Sequence, residues 1–208
     1  MIHFPEASRI HRRLPKDAFY QRLNLTAALK EKFVSDVDRI FVENSLTKEN
    51  LHLTADSEVK EILLLLVSLK KPDFDGKVVE AIARQNPHKL LFLLTFEDRV
   101  QLALYQGKLY RSPWKPASEL QLEARGQSLQ AIWDSFMEQI ALTEEGPGDV
   151  SGLSVEERLK RQDRILKLEQ SIEKTEAAAW KEKQPHKRFE LHQRILRLKQ
   201  ELEDLKNG

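Results

Sequence analysis

At 208 residues the chain suits one medium domain plus an appendage. Its 34 basic and 33 acidic side chains nearly cancel, so net charge alone does not mark a nucleic-acid binder. The absence of cysteine excludes disulfides, thiolate zinc sites and a cysteine nucleophile.

Residues 1–16 are expected to form a basic, irregular lead-in: Arg9, Arg12, Arg13 and Lys16 crowd before and after Leu14-Pro15. Lys16–Phe33 reads as helix, with Phe19, Leu23, Leu29 and Phe33 able to share a face and Asn24 or Thr26 as interruption or cap. Val37–Val42 predicts a strand, Asn44–Asn50 a polar connection, and Leu51-His52-Leu53 a short second strand. Val59–Lys70 contains a continuous apolar run ahead of Pro72, which suits a strand buried on both faces, with a buried helix as the competitor because leucine favours helix. A helix from Asp75 or Gly76 ends before Asn86-Pro87. Leu90–Phe96 and Arg99–Tyr105 predict two more strands across a Glu97-Asp98 turn, and Leu109–Arg111 follows the turn at Gly107. Ser112–Pro116 reads as a rigid loop around Trp114, and Ser128–Leu142 as an amphipathic helix through Leu129, Ile132, Trp133, Phe136 and Ile140.

Gly146-Pro147-Gly148 inside an acidic stretch predicts a linker. Beyond it, Ser154 with Glu157 three residues later forms a capping-box pattern. Leu191, Ile195, Leu198, Leu202 and Leu205 are spaced 4, 3, 4, 3, the alternation of a coiled-coil seam, and Ile165, Leu168 and Ile172 repeat it upstream. Pro185 breaks this arm once, either as the turn of an antiparallel helical hairpin or as a kink in a helix that pairs with a partner. The expected fold is α+β: a mixed sheet flanked by helices over residues 1–142, a linker over 143–152, and a helical coiled-coil arm over 153–208. Residues 151–208 carry 14 basic and 11 acidic side chains.

No motif of dedicated chemistry stands out. The six histidines show no metal-ligand spacing, and no nucleophile elbow or phosphate loop is present, so neither metal nor cofactor is expected. The element order is similar to that of restriction endonucleases. That chemistry needs an Asp on one strand and an acid-x-Lys on the next. Asp36 or Asp38 could be the first acid, with Asp38 and Lys70 the candidate pair, but Ser68 stands where the second acid belongs. Arg9, Arg12, Arg13 and Lys16 are candidates for contact with a phosphate backbone. Trp180, in Ala177-Ala178-Ala179-Trp180 near the tip of the arm, either closes the hairpin or docks on a partner together with Lys183.

Several spaced segments resemble one known family. They are Arg13-Leu14-Pro15-Lys16 with Phe19-Tyr20, the Phe33–Ile40 passage with Val37 and Ile40, Leu46-Thr47 followed by Leu51-His52-Leu53, Glu61–Lys70, Asn86-Pro87-His88 with Leu91–Leu94, and Lys181-Glu182-Lys183-Gln184 with Lys187 and Glu190-Leu191. Together they resemble the uncharacterised bacterial domain-of-unknown-function family 4391. This chain departs from the family pattern at Ala83-Arg84-Gln85 and at Pro185-His186. The resemblance implies a setting beside helicase and DNA-methyltransferase genes in restriction-like or defence clusters, and carries no catalytic residue.

The expectation is a non-catalytic adaptor of a bacterial DNA-targeting system. Its arm would bind a helicase or methyltransferase, or a second copy, through Trp180, Lys183, Leu191, Ile195, Leu198 and Leu202, with nucleic acid contacted indirectly. A divergent nuclease and a direct DNA binder are the alternatives. The opening Met-Ile-His-Phe-Pro-Glu is no signal peptide, and the longest apolar run, Ile62–Val67, is far short of the roughly 20 residues of a membrane helix. A soluble, cytoplasmic protein is expected.

Overall fold

The structure, a computed structural model, describes residues 2, 4–17, 23–142 and 152–207. The chain divides into two compact units, Met1–Thr143 and Glu144–Gly208. Phe19, Tyr20 and Arg22, and all of the expected linker except Gly152, lie outside the described residues.

The first unit is a seven-stranded mixed sheet. Six strands follow one another in chain order: β1 (Arg9–Leu14), β2 (Val37–Thr47), β3 (Glu61–Leu69), β4 (Lys89–Phe96), β5 (Arg99–Gln106) and β6 (Lys108–Arg111). A two-residue β7 (Lys115–Pro116) also pairs with β5. Helix α1 (Ala27–Asp36) precedes β2, α2 (Lys77–Arg84) links β3 to β4, and α3 (Leu129–Ala141) closes the unit. All neighbouring strands are antiparallel except β3 and β4, which run parallel because α2 carries the chain back.

The strands have the composition that two covered faces demand. Alternation turns Leu65, Val67 and Leu69 of β3 toward one face, with Phe92 and Leu94 of β4. There they meet Phe33 of α1 and Val78, Val79 and Ile82 of α2 in one buried cluster. Ile62, Leu64, Leu91, Leu102 and Leu104 alternate to the opposite face and are also buried. Helix α3, with Trp133 and Phe136 fully buried, lies against β3, β5 and β6. The two-residue turn between β4 and β5 puts Glu97 at φ 53, the left-handed conformation such tight hairpins require.

Three local expectations are corrected. The N-terminal lead-in is not irregular: Arg9–Leu14 pairs with β2 as the outermost strand, with Arg13 opposite Phe41, because the exposed backbone of β2 offers it hydrogen bonds. A bulge between Arg9 and Arg12, with His11 at φ 45, twists this edge. Strand β2 runs on to Thr47 through the expected polar connection, since Leu46 faces Ile62 and is fully buried. Leu51–Leu53 is a turn, not a strand: backbone bonds close it on Thr47 and Lys48, and His52 takes φ 51. Of the helix expected over Lys16–Phe33, Lys16 and Asp17 are helical and residues 18–22 lie outside the described residues; the chain leaves the helix over Leu23–Thr26, and a helix capped by Thr26, whose hydroxyl accepts the Leu29 N–H, runs from Ala27 to Asp36. Trp133 is packing, and Trp114 is half-buried against the core cluster.

The second unit is a helical hairpin of α4 (Val155–Lys181) and α5 (Pro185–Asn207). Ser154 and Glu157 form the expected capping box. The chain turns at Glu182–Gln184 and does not kink through Pro185. Proline is the first residue of α5, where its missing N–H costs nothing.

Candidate functional site

The hairpin closes through its heptad stripe. Leu168, Ile172, Thr175 and Ala179 of α4 are buried. On α5, Ile195 is buried and Leu191, Leu198 and Leu202 are half-buried. Pairs Lys199–Glu176 and Lys206–Glu169, both at 2.8 Å, and Arg164–Glu201 set the antiparallel register. The Arg161 guanidinium donates to the Leu205 carbonyl at 3.0 Å, placing positive charge at the C-terminal end of α5. The seam residues expected to meet a partner are therefore engaged within the arm.

The tip differs. Trp180 is 91% exposed, Phe189 63% and Leu196 61%. Trp180 does not close the hairpin. These three side chains line one groove of roughly 1060 Å³ with Glu176, Ala179, Pro185, Arg188, His192, Ile195 and Lys199. Pro185, Phe189, His192, Leu196 and Lys199 are spaced 4, 3, 4, 3, so α5 carries a second heptad stripe that α4 does not cover. Burying one large apolar side chain is worth about 1.5–3 kcal/mol, which the isolated hairpin forgoes at each of the three.

Charge gathers at the same place. Residues 176–199 carry seven basic and three acidic side chains, against seven and eight in the rest of the arm. All three acids are engaged: Glu176 by Lys199 at 2.8 Å, Glu190 by His186 at 3.4 Å and Glu182 by the Gln184 N–H at 2.8 Å. No acidic side chain pairs with Lys183, Lys187 or Arg188 among the described residues.

The other predicted residues belong to the first unit, and most have local partners there. Asp38 is the bulged residue between Val37 and Arg39, and its carboxylate takes the Arg39 guanidinium at 2.9 Å. The Lys70 ammonium donates to the Val34 carbonyl at 2.9 Å, and that of Lys16 to the Val37 carbonyl. Both lysines thus cap the carbonyl end of α1. Burial, followed by repulsion from Lys70, holds Lys16 below the ordinary lysine range. Arg9 pairs with Glu6, while Arg12 and Arg13 are exposed on β1. Glu61 takes the Ser45 hydroxyl and lies 3.2 Å from His88.

Sequence reasoning missed two residues of consequence and misread a third. Phe189 and Leu196 were legible as a second stripe seven residues apart. Asp36, weighed from the sequence as a nuclease acid, has instead a structural role that only the tertiary structure gives it. It is fully buried, and takes the Lys71 ammonium (2.8 Å), the Ser35 hydroxyl (2.5 Å) and the Asp75 N–H (2.8 Å). Burial raises its pKa, but these bonds outweigh burial and hold the carboxyl below its usual range. Among the described residues no group of three or more His, Asp or Glu is placed to hold a metal ion, and no helix is long and apolar enough to cross a membrane.

Fold and site together define an α+β sheet protein with a helical hairpin that displays a groove lined by exposed Trp180, Phe189 and Leu196. The chain belongs to the family described as Domain of unknown function (DUF4391), whose model matches residues 2–202. No curated protein and no solved structure matches it.

Proposed function

We propose that this chain is a non-catalytic, cytoplasmic adaptor of a bacterial DNA-targeting system, of restriction-like or defence type, whose arm holds a partner protein. The observation that carries this reading is the convergence of Trp180, Phe189 and Leu196, all exposed, on one groove. Clustered aromatic and aliphatic side chains without an intramolecular partner are what protein interfaces are anchored on. The seam beneath them, a short coiled coil in this reading, supplies the rigid support such anchors need. A helicase or DNA methyltransferase is the partner that the family's genomic setting implies. The nuclease alternative draws less support, because Asp38 and Lys70 are occupied by Arg39 and by the end of α1.

The test is a pull-down from the native cell with the full chain and with residues 1–150, read by mass spectrometry. A helicase or methyltransferase captured by the full chain and lost with the arm is the expected result. The same partner held equally by residues 1–150, or no partner held by either, would remove the adaptor reading.

A second reading, direct contact with nucleic acid, is favoured by the exposure of Arg12 and Arg13 on the edge strand beside Lys16. It predicts affinity that falls steeply with salt and is reduced in the R12A/R13A variant. Salt-insensitive binding, or none, would discard it.

A further inference from the structure

We infer that the groove at the tip of the arm receives one acidic amphipathic α-helix of a partner protein, which completes a three-helix bundle. This rests on the adaptor reading and names the chemistry of the partner segment. The second stripe of α5 runs from Pro185 to Lys199, about 21 Å or four helical turns. The groove has the layout that a third helix needs. Ala179 and Ile195 are small or buried and line its interior, Trp180 rises on the α4 side, and Phe189 and Leu196 rise on the α5 side. A guest helix with apolar residues at heptad positions lays its stripe between these three.

Charge decides what the guest carries on its flanks. Arg188 lines the groove without an acidic partner, Glu176 lines it already paired with Lys199, and residues 176–199 carry seven basic against three acidic side chains. Asp or Glu at the guest's flanking positions neutralises Arg188, while Lys or Arg there meets repulsion. The same argument disfavours a second copy, which would bring another tip with seven basic against three acidic residues. A single nucleic-acid strand is disfavoured by the aliphatic carbons of Ala179, Ile195 and Leu196, which offer nothing to a phosphate. Of the two cations lining the groove, Lys199 is already held by Glu176.

The experiment titrates the full chain with a labelled helical peptide of about 16 residues, Leu at heptad core positions and Glu elsewhere, read by anisotropy. Two other probes are its twin with Lys for every Glu, and an oligothymidylate. The Glu peptide is expected to bind at least about tenfold tighter than the twin, and W180A and F189A each to weaken it about tenfold. Arg188→Glu should weaken the Glu peptide and strengthen the twin, a reversal that a structural role for Arg188 would not produce. Unchanged thermal melts of the three variants confirm that they fold. Equal binding of the two peptides, indifference to W180A and F189A, or oligothymidylate binding that depends on Trp180 overturns the inference. So does self-association that depends on Trp180 without peptide binding. A cellular partner that needs the arm but is still captured by the W180A/F189A variant also overturns it, and leaves the adaptor reading standing. Peptide binding as expected, with no arm-dependent partner in the cell, removes the adaptor reading alone.

Discussion

Two tryptophans separate the two units. Trp133 in α3 is fully buried, its indole N–H lies 3.4 Å from the Gln106 side-chain oxygen, and the Lys89 ammonium sits 5.2 Å from its ring. Trp180 at the tip of the arm is 91% exposed. In the first unit helices cover both faces of the sheet, and its largest aromatic side chains, Trp133, Phe33, Phe92 and Phe136, are fully buried. A two-helix hairpin has one internal seam, so any second apolar stripe stays on its surface. The sheet domain thus buries its aromatic core, and the arm leaves Trp180, Phe189 and Leu196 exposed.

That contrast can be broken or sharpened in four ways. The largest effect is expected for Trp133→Ala, which empties a fully buried site and should cost about 3–5 kcal/mol in urea unfolding. A loss under 1 kcal/mol would mean the core is not packed as described. Next is Asp36→Asn, which removes the charge facing Lys71 and should cost about 1–3 kcal/mol at neutral pH. The folded pKa of Asp36 is depressed, so its contribution is present above the unfolded carboxyl value of about 3.9 and is lost as pH falls through the lower folded value. The gap between variant and parent should therefore close in acid, and a gap that stays constant with pH would refute this account.

Smaller still is Ser154→Ala. Removing the capping box should destabilise α4 by about 1 kcal/mol. The measurement is helicity by circular dichroism, with the near-ultraviolet signal of the buried Trp133 unchanged. The smallest effect is expected for Trp180→Ala, within about 0.5 kcal/mol of the parent in thermal or urea unfolding. A cost comparable to that of Trp133→Ala would show that Trp180 is structural and would erase the distinction between the units.

Much of the fold was legible because periodicity is written in the residues themselves. The apolar run of β3, the 3.6-residue pattern of α3, and the capping box and heptads of the arm all appear where the sequence predicts them. The misreadings share one cause. The charges of Arg9–Leu14 suggest a loop, yet the segment is a strand because β2 has an open edge to pair with. Leu51–Leu53 carries a strand-like pattern and has no strand to pair with. Of the candidate site, Trp180 was legible from its place near Pro185. Phe189 and Leu196 were passed over because an exposed stripe and a buried one look alike in sequence.

By itself, the sequence determined which segments are helix and strand wherever local pattern and caps agree. It determined that a Pro-marked break divides the arm, and that the arm carries more apolar positions than one seam can use. Only the tertiary structure decided that the chain reverses at Glu182–Gln184, and that α4 therefore takes the Leu191–Leu202 stripe and leaves the Phe189–Leu196 stripe open. It also turned Asp36 into a buried junction between α1 and the start of α2. The physical reason is that burial and pairing belong to pairs of elements: a stripe, an edge or a carboxylate gains its role from what is brought against it.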